Sequence, residues 1–315
     1  MSRWVLGRLL IVAALTLPVA VASHERAREG SASATVAGPG DALPVDKVHT
    51  YRMAGKIRLL LFWVGRDGVG MGRIVWRRGE NGVKAYELLI GTDPASAPRR
   101  LNLWGYIAEE IDGANGSLLA LMSRSEETSI DEVRDRPQRG VEFKAMRTRV
   151  EAGTARSVAP AVYAESDPTY RDVSALIDQV HLASDRATIR TLAVPIGVRP
   201  GFLAAVAELV HASVESLRAP RPAAASPHLR AVPFVYGVRL HDLTLRSHEV
   251  LTDYNQAGRS DGRVVRGRFE IRDRTTDERT RFELVYGLDG PLAAVPVEIV
   301  YQPRWWLKVE LTLEQ

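Results

Sequence analysis

The sequence predicts a β-rich α+β protein, built on one large, curved, antiparallel sheet with two amphipathic helices packed on it. Three observations support this fold class. From about residue 47, most segments alternate apolar and polar residues, which is typical of strands with one buried face. Within an insert at about 168–218, the apolar residues recur at helical spacing instead. The strand pattern then returns, so residues 47–315 are predicted to form a single domain.

Residues 1–22 have the pattern of a secretory signal peptide. Arg3 and Arg8 precede an apolar run, Leu9–Leu17, and small residues then occupy the positions that a signal peptidase inspects, which places cleavage before Ser23. The apolar run is shorter than the roughly 20 residues that a spanning helix needs. We therefore expect a periplasmic or secreted protein with no transmembrane span after signal cleavage.

Residues 23–46 are rich in Ala, Ser, Gly and Pro and lack apolar periodicity, so they are predicted to form a flexible tether. The continuous apolar run in Lys56–Val64 predicts one strand buried on both faces. The turn Glu80–Gly82 contains Asn-Gly, which favours a type I′ hairpin between strands at Arg73–Arg77 and Val83–Gly91.

Further strands are predicted at Leu101–Ile111, Ser117–Ser123 and Val141–Val150. Within the charged stretch Arg124–Arg139, the spacing of a serine and a glutamate (Ser129, Glu132) fits a capping box over one or two helical turns.

Two helices are predicted in the middle of the chain, against the concave face of the sheet. The first begins at Asp167, with Pro168 in its first turn. Its apolar face comprises Tyr170, Val173, Leu176, Ile177 and Val180. The second runs from about Pro200 to Leu217, and its buried stripe comprises Phe202, Val206, Leu209, Val210, Ser213 and Leu217.

After the Pro/Ala-rich segment Arg218–Arg230 the strand pattern is clearest. A division into two β subdomains at this segment is the alternative architecture. The alternating apolar residues occupy even-numbered positions up to Leu240 and odd-numbered positions from Leu243 on. This change of parity predicts a bulge near His241 and Asp242. The inward positions of the later strands are Val265, Phe269, Ile271, Phe282, Leu284, Tyr286, Val295, Val297, Ile299 and Tyr301. The last strand places Trp305, Leu307, Val309, Leu311 and Leu313 on one face.

Composition excludes several classes of function. The chain has no cysteine, which rules out thiolate metal sites, cysteine nucleophiles and a lipid-modified cysteine. Its basic residues alternate with acidic ones along the strands, as in Arg268–Arg272, so nucleic-acid binding is not expected.

No catalytic motif, cofactor or metal site is predicted. The chain lacks a P-loop and a zinc helix. Asp253–Gly262 resembles a calcium loop but lacks required ligands. Glu109 and Glu110 are adjacent on a strand, where successive side chains face opposite sides, so they do not form an acid/base pair. An exported hydrolase acting on envelope carbohydrate or ester, using His241, Asp242, His248 and Glu249, is an alternative hypothesis.

Aromatic residues supply the candidate surface for a ligand or partner. Trp104 and Tyr106 follow a polar turn, and Trp305 and Trp306 open the last strand. Trp305 is expected to face the core and Trp306 the solvent-exposed side of the strand. An exposed tryptophan there is typical of a binding surface or of an edge that contacts a membrane.

A signal peptide, strands on both sides of two amphipathic helices, and a closing segment Val295–Ile299 leading into 305–313 resemble periplasmic half-barrel lipoprotein carriers and uncharacterised envelope domains built like them. The resemblance implies a curved sheet around an apolar hollow lidded by helices, and it assigns no residue a role. We therefore expect a non-enzymatic, exported cell-envelope protein that binds a lipid, an acyl chain or an envelope protein partner. A structural or interaction module of an envelope assembly is a further alternative.

Overall fold

The computed structural model of the protein describes residues 43–59, 62–123, 141–219, 231–252, 254, 262–304 and 307–314. Within them, fifteen strands form one antiparallel sheet, accompanied by two α-helices. The strands are β1 (Val45–Leu59), β2 (Phe62–Arg78), β3 (Lys84–Thr92), β4 (Trp104–Asp112), β5 (Asn115–Met122), β6 (Val141–Glu151), β7 (Thr154–Val158), β8 (Ala161–Ala164), β9 (Ile189–Ala193), β10 (Ala231–Tyr236), β11 (Arg239–Leu251), β12 (Val264–Asp273), β13 (Arg279–Gly287), β14 (Pro296–Arg304) and β15 (Leu307–Leu313). The helices are α1 (Val173–Ser184) and α2 (Phe202–Arg218). Short 3-10 turns lie at Pro98–Arg100, Tyr170–Asp172 and Gly290–Leu292.

The first and last strands are neighbours, and this joins the two halves of the chain into one sheet. The strand order is β10-β11-β12-β13-β14-β15-β1-β2-β3-β4-β5-β6-β7-β9, and β8 pairs with β6. In the β1–β15 ladder, Tyr51 lies opposite Leu313. Tyr51 also donates a hydrogen bond through its hydroxyl to the carbonyl of Pro296, at 2.8 Å. The alternative of two separate β subdomains is therefore wrong.

The two ends of the strand path meet at Arg199, which gives the sheet a barrel-like form. The backbone N–H of Arg199 donates to the carbonyl of Pro233 at 2.8 Å, and the N–H of Val235 donates to the carbonyl of Arg199 at 2.9 Å. A small apolar cluster that includes Val150, Val198 and Val235 packs next to this bridge. A short parallel bridge thus connects Arg199, which follows β9 in the chain, to Phe234 of β10 at the other edge of the sheet.

Helix α2 occupies the concave side of the sheet. Its buried residues are Phe202, Ala205, Leu209, Val210, Ser213 and Val214. The ring of Phe202 lies 5.7 Å from that of Phe234 and 6.2 Å from that of Phe282, so the helix contacts strands well apart in the sheet order. The Tyr286 hydroxyl donates to the Ser213 hydroxyl at 2.8 Å. The predicted second helix is confirmed, and four residues of its predicted stripe are buried, whereas Val206 and Leu217 are only partly buried.

Helix α1 lies on the opposite, convex side, which corrects the expectation that both helices pack on the concave face. Its apolar residues join a second core with Leu119, Leu121 and Phe143. The reason lies in the middle strands, which are apolar on both faces. In β5, Leu118 and Ala120 face the larger core, whereas Leu119 and Leu121 face α1. The sheet therefore needs a cover on each side.

The start of α1 is displaced from the prediction. A 3-10 turn, Tyr170–Asp172, leads into α1, and its N-cap is Thr169 rather than Asp167: the backbone N–H and hydroxyl of Thr169 both donate to the Asp172 carboxylate, and its hydroxyl oxygen accepts the N–H of Arg171. Asp172 is the N-cap of α1 itself and makes no side-chain cap there. The Pro168 carbonyl instead accepts a hydrogen bond from Asn102. The predicted apolar face is confirmed, with Ile177 partly buried.

Two of the predicted local features differ from the structure. The change in apolar parity that the sequence places after Leu240 arises from a turn at Gly237–Val238, where Gly237 has a φ of 62°, and not from a bulge near His241 and Asp242. The bulge of β11 lies instead between Leu245 and Ser247. Strands β7, β8 and β9 were not predicted, because they are short. The expected hairpin at Asn81–Gly82 is confirmed, but its turn is not of type I′, because Gly82 has a φ of 82° whereas the φ of Asn81 is not positive.

Several predicted features fall outside the described residues. They are the signal peptide 1–22, most of the tether 23–46, the capping box at Ser129 and Glu132, the segment 220–230 and most of Asp253–Gly262. Strand β1 already begins at Val45, within the predicted tether. Neither helix in the described part of the chain combines the length and apolarity required to span a bilayer.

Candidate functional site

The most unusual surface of the described chain is the outer end of the β1–β2 hairpin. We call Phe62, Trp63 and Val64 the apolar hairpin end. Their side chains are 74%, 39% and 56% exposed. The prediction of one strand buried on both faces over Lys56–Val64 is wrong, because the chain reverses there and Leu59 pairs with Phe62. A run of apolar residues specifies a strand but not what covers it.

The outer part of β2 is exposed on both of its faces. Successive strand residues point to opposite sides, yet every residue from Phe62 to Gly68 is exposed. Pairing with β3 begins only at Gly70, opposite Thr92. Residues 62–69 therefore extend beyond β3 by about 26 Å, at roughly 3.3 Å per residue. Val69 is buried and marks where the hairpin joins the core.

A bulge sets the direction of the hairpin. The β1–β2 register shifts between Met53, which pairs with Gly70, and Ala54, which pairs with Asp67. Gly68 lies in the bulge with a φ of 66°, a left-handed conformation that glycine adopts without a Cβ clash. Bulges bend a strand and increase its twist, so the outer segment is re-aimed relative to the sheet.

Basic residues flank the apolar hairpin end. Lys56, Arg58 and Arg66 lie on the hairpin with one acidic residue, Asp67. Lys56 forms an ion pair with Glu310 of β15 at 2.5 Å. Lys308 contacts the same carboxylate at 2.7 Å, and the two lysines contribute to a lowered pKa of Glu310, against the opposing effect of burial. The hairpin combines exposed apolar groups with an excess of positive charge.

The structure places Trp104 and Tyr106 in packed core and not on a surface. Trp104 is 2% exposed and Tyr106 is 4% exposed. The indole N–H of Trp104 donates to the carbonyl of Pro168 at 2.6 Å, which anchors the segment that leads into α1. The expectation of a ligand surface at these two residues is corrected, because α1 covers this face. Trp305 and Trp306 lie outside the described residues.

The four side chains of the hydrolase hypothesis do not converge. His241 is buried and stacks on Phe234, with ring centroids 5.1 Å apart. Asp242 lies on the other face and is bound by Arg274 at 2.5 Å. His248 and Glu249 are exposed further along β11. Within the described residues, no group of three or more His, Cys, Asp or Glu side chains is arranged to hold a metal ion.

Glu109 is a buried carboxylate that the sequence analysis considered only as half of an acid/base pair with Glu110, and for which it predicted no role. It faces inward while Glu110 faces the other side, as expected for strand neighbours. Its oxygens accept the backbone N–H groups of Leu203 and Ala204, each at 3.0 Å. Burial raises the pKa of Glu109 to about 7, against the opposing effect of these hydrogen bonds. An acid at an otherwise apolar, inward strand position is the signal that could have identified it.

A second surface feature is a cleft on the convex face, at the C-terminal end of α1. Its volume is about 820 Å³. Strands β4 to β7 and β9 form its floor, and the end of α1 forms one wall. Its side chains include Arg147, Arg149, Arg156 and Ile189.

Comparisons with known proteins give a likeness of fold only. No protein-family model and no curated protein matches the chain. Among solved structures, the chain is similar to a β-barrel-like protein of a domain of unknown function, DUF1849, from Brucella abortus, at 9% sequence identity and a TM-score of 0.45. The match covers 86% of this chain and 98% of that one.

Proposed function

We propose that the protein is an exported, peripheral envelope protein that binds the surface of a lipid membrane through the apolar hairpin end. The observation that carries this proposal is the exposure of three consecutive apolar side chains at the start of β2, where the strand is exposed on both of its faces. Export rests on the signal-peptide pattern of residues 1–22.

The apolar hairpin end gains free energy when it leaves water. Full burial of one large apolar side chain contributes about 1.5–3 kcal/mol. Three partly exposed side chains therefore supply on the order of several kcal/mol when they enter the headgroup region of a membrane. Tryptophan favours such interfaces because its ring is apolar and its N–H remains near water, which suits Trp63.

The charge on the hairpin favours an anionic lipid surface over a neutral one. Each basic residue held near such a surface contributes about 1 kcal/mol. Arg66 is exposed on β2 near the apolar hairpin end, and Lys56 and Arg58 lie on the other strand of the hairpin, β1. Basic and apolar groups together are the usual composition of segments that lie in a membrane interface.

The packing of α2 supports contact at the surface rather than a ligand held inside the sheet. In a half-barrel carrier an acyl chain would occupy the concave side, but here Leu209 and Val210 of α2 fill that side against the strands. We therefore assign the lipid contact to the hairpin and do not assign an internal acyl-chain site.

Vesicle flotation tests the proposal. Chains that begin at Ser23 are used, because the apolar residues 1–22 would bind vesicles themselves and their removal leaves every described residue in place. The variant Phe62→Ser/Trp63→Ser/Val64→Ser is compared with Val45→Ser/Leu182→Ser/Ile196→Ser, which changes three exposed apolar residues elsewhere.

We expect wild type to float with vesicles of phosphatidylglycerol and phosphatidylcholine. The hairpin variant should bind at least about tenfold more weakly, and the control variant should bind like wild type. Arg66→Gln should weaken binding to these vesicles by about fivefold and leave binding to phosphatidylcholine alone unchanged. Equal binding by the hairpin variant and wild type, or no binding by wild type, would contradict the proposal.

A further inference from the structure

We infer that the convex-face cleft at the end of α1 is a binding site for a small organic anion, with the carboxylate or phosphate group of the ligand held by Arg147, Arg149 and Arg156. This inference is independent of the proposed lipid contact, because the cleft and the apolar hairpin end involve different strands. A volume of about 820 Å³ lies within the size range of small-molecule sites.

The strand register brings the three arginines to one patch of the convex face. Arg147 and Arg149 are two residues apart on β6, so their side chains leave the same face. Arg156 of β7 lies directly opposite Arg149. Directly opposed strand residues have Cβ atoms about 5 Å apart, and like charges at such positions repel each other. An anion between the guanidinium groups would remove this repulsion.

The cleft lining contains three arginines and four carboxylates, which belong to Glu110, Asp112, Glu151 and Asp185. Arg149 forms an ion pair with Glu151 at 2.6 Å. Among the described carboxylates, none lies within 4.0 Å of the guanidinium nitrogens of Arg147 or Arg156. Arg147 is partly buried beside α1, and burial is the main cause of its lowered pKa, with the Asp185 charge acting in the opposite direction. Guanidinium groups bind carboxylate and phosphate oxygens with paired hydrogen bonds.

The remaining lining indicates what else the ligand carries. Leu119 and Val158 form an apolar floor beside Arg147, and Ile189 exposes its side chain at the edge. Glu110 and Asp112 also line the cleft, and the strand register places Glu110 in the same cross-strand row as Arg149 and Arg156, separated from Arg149 by Ser117. A carbon skeleton can cover the apolar floor, while hydroxyl or ammonium groups meet these carboxylates. The cleft therefore fits a small anion with hydroxyl or amine substituents better than a bare inorganic ion.

His181 adds no positive charge to the site. It borders the cleft from α1, and both of its ring nitrogens are buried without a hydrogen-bond partner. Burial, followed by the charge of Arg147, lowers the pKa of His181, so the ring is neutral at pH 7. The recognition of an anion thus depends on the arginines.

Calorimetry at constant ionic strength tests the inference, with inorganic phosphate, citrate and gluconate as probes. The test variant is Arg147→Gln/Arg156→Gln. The matched control, Arg186→Gln/Arg190→Gln, removes the same charge from exposed positions outside the cleft lining. The single variant Arg156→Gln serves if the double variant does not fold by circular dichroism, because Arg156 is exposed.

We expect saturable binding of citrate or gluconate, weakened about tenfold or more by the test variant and by less than about twofold in the control. Tighter binding of inorganic phosphate than of both carboxylates would contradict the assignment of the cleft to a substituted organic anion. The inference is overturned if no probe binds saturably, or if the control variant loses binding as much as the test variant does.

Discussion

The carboxylate of Glu109 accepts the backbone N–H of Leu203 at 3.0 Å, although the two residues are 94 positions apart in the chain. The first N–H groups of a helix lack partners within the helix, and a side chain of the helix itself usually caps them. At α2 the residue before the helix is Gly201, which has no side chain, and an acid from β4 takes this role. The contact fixes α2 inside the curved sheet.

Glu109 should make the stability of the protein fall as pH rises. Its pKa is raised from 4.5 to about 7 in the folded chain. Between these values the folded state keeps a proton that the unfolded state has lost, so the free energy of unfolding decreases with pH across this window, by on the order of 3 kcal/mol. Urea unfolding at pH 5 and pH 8 measures the change. Glu109→Gln should lack this decrease, and Glu110→Gln should retain it. The same pH dependence in wild type and Glu109→Gln would contradict the assignment.

His241 should have the opposite effect. Burial is the main cause that lowers its pKa from 6.5 to about 4 in the folded chain. Between these values the unfolded state binds the additional proton, so the free energy of unfolding falls as pH falls from 6.5 to 4, again by on the order of 3 kcal/mol. His241→Phe keeps a ring against Phe234 and should lose less stability than wild type between pH 7 and pH 4.5 in urea unfolding. His248→Gln, at an exposed position, should behave like wild type. An unchanged acid response in His241→Phe would rule out this role.

A methyl group at position 201 should disturb the cap of α2. A Cβ at Gly201 would lie 2.2 Å from Oε2 of Glu109, closer than van der Waals contact allows. The backbone of Gly201 is extended, with a φ of −167°, so the cost comes from this collision and not from the backbone. Gly201→Ala should lower the free energy of unfolding by about 1–3 kcal/mol. Gly55→Ala is the control, because its nearest contact would be 3.6 Å from Val69. Equal stability of the two variants would show that the site relaxes freely.

Processing of the N-terminus should produce a chain that begins at Ser23. Small residues precede this position, and the apolar run before it is too short for a spanning helix. Expression of the full chain in a Gram-negative bacterium, followed by mass spectrometry of the periplasmic fraction, measures the mature mass. Replacing Leu10 and Val12 with Asp should block export, because the apolar core of the signal is lost. Recovery of the uncleaved chain from the cytosol would contradict the prediction.

The strands and helices could be predicted where local periodicity is strong. Phe282, Leu284 and Tyr286 alternate with polar residues and are buried as expected. The buried face of α1 was likewise visible in the spacing of Tyr170, Val173 and Leu176. The candidate site was less predictable. Trp104 was expected at a surface because aromatic type alone does not reveal what covers a side chain, and the cover comes from α1.

The sequence by itself determined the secondary structure of most of the chain, the β-rich class and the two amphipathic helices, because alternation and helical spacing are local properties. Only the tertiary structure decided that β1 pairs with β15, that α1 and α2 cover opposite faces, and that Phe62 to Val64 remain exposed. These features depend on contacts between residues far apart in the chain, and local periodicity does not specify which distant surface will meet a given face.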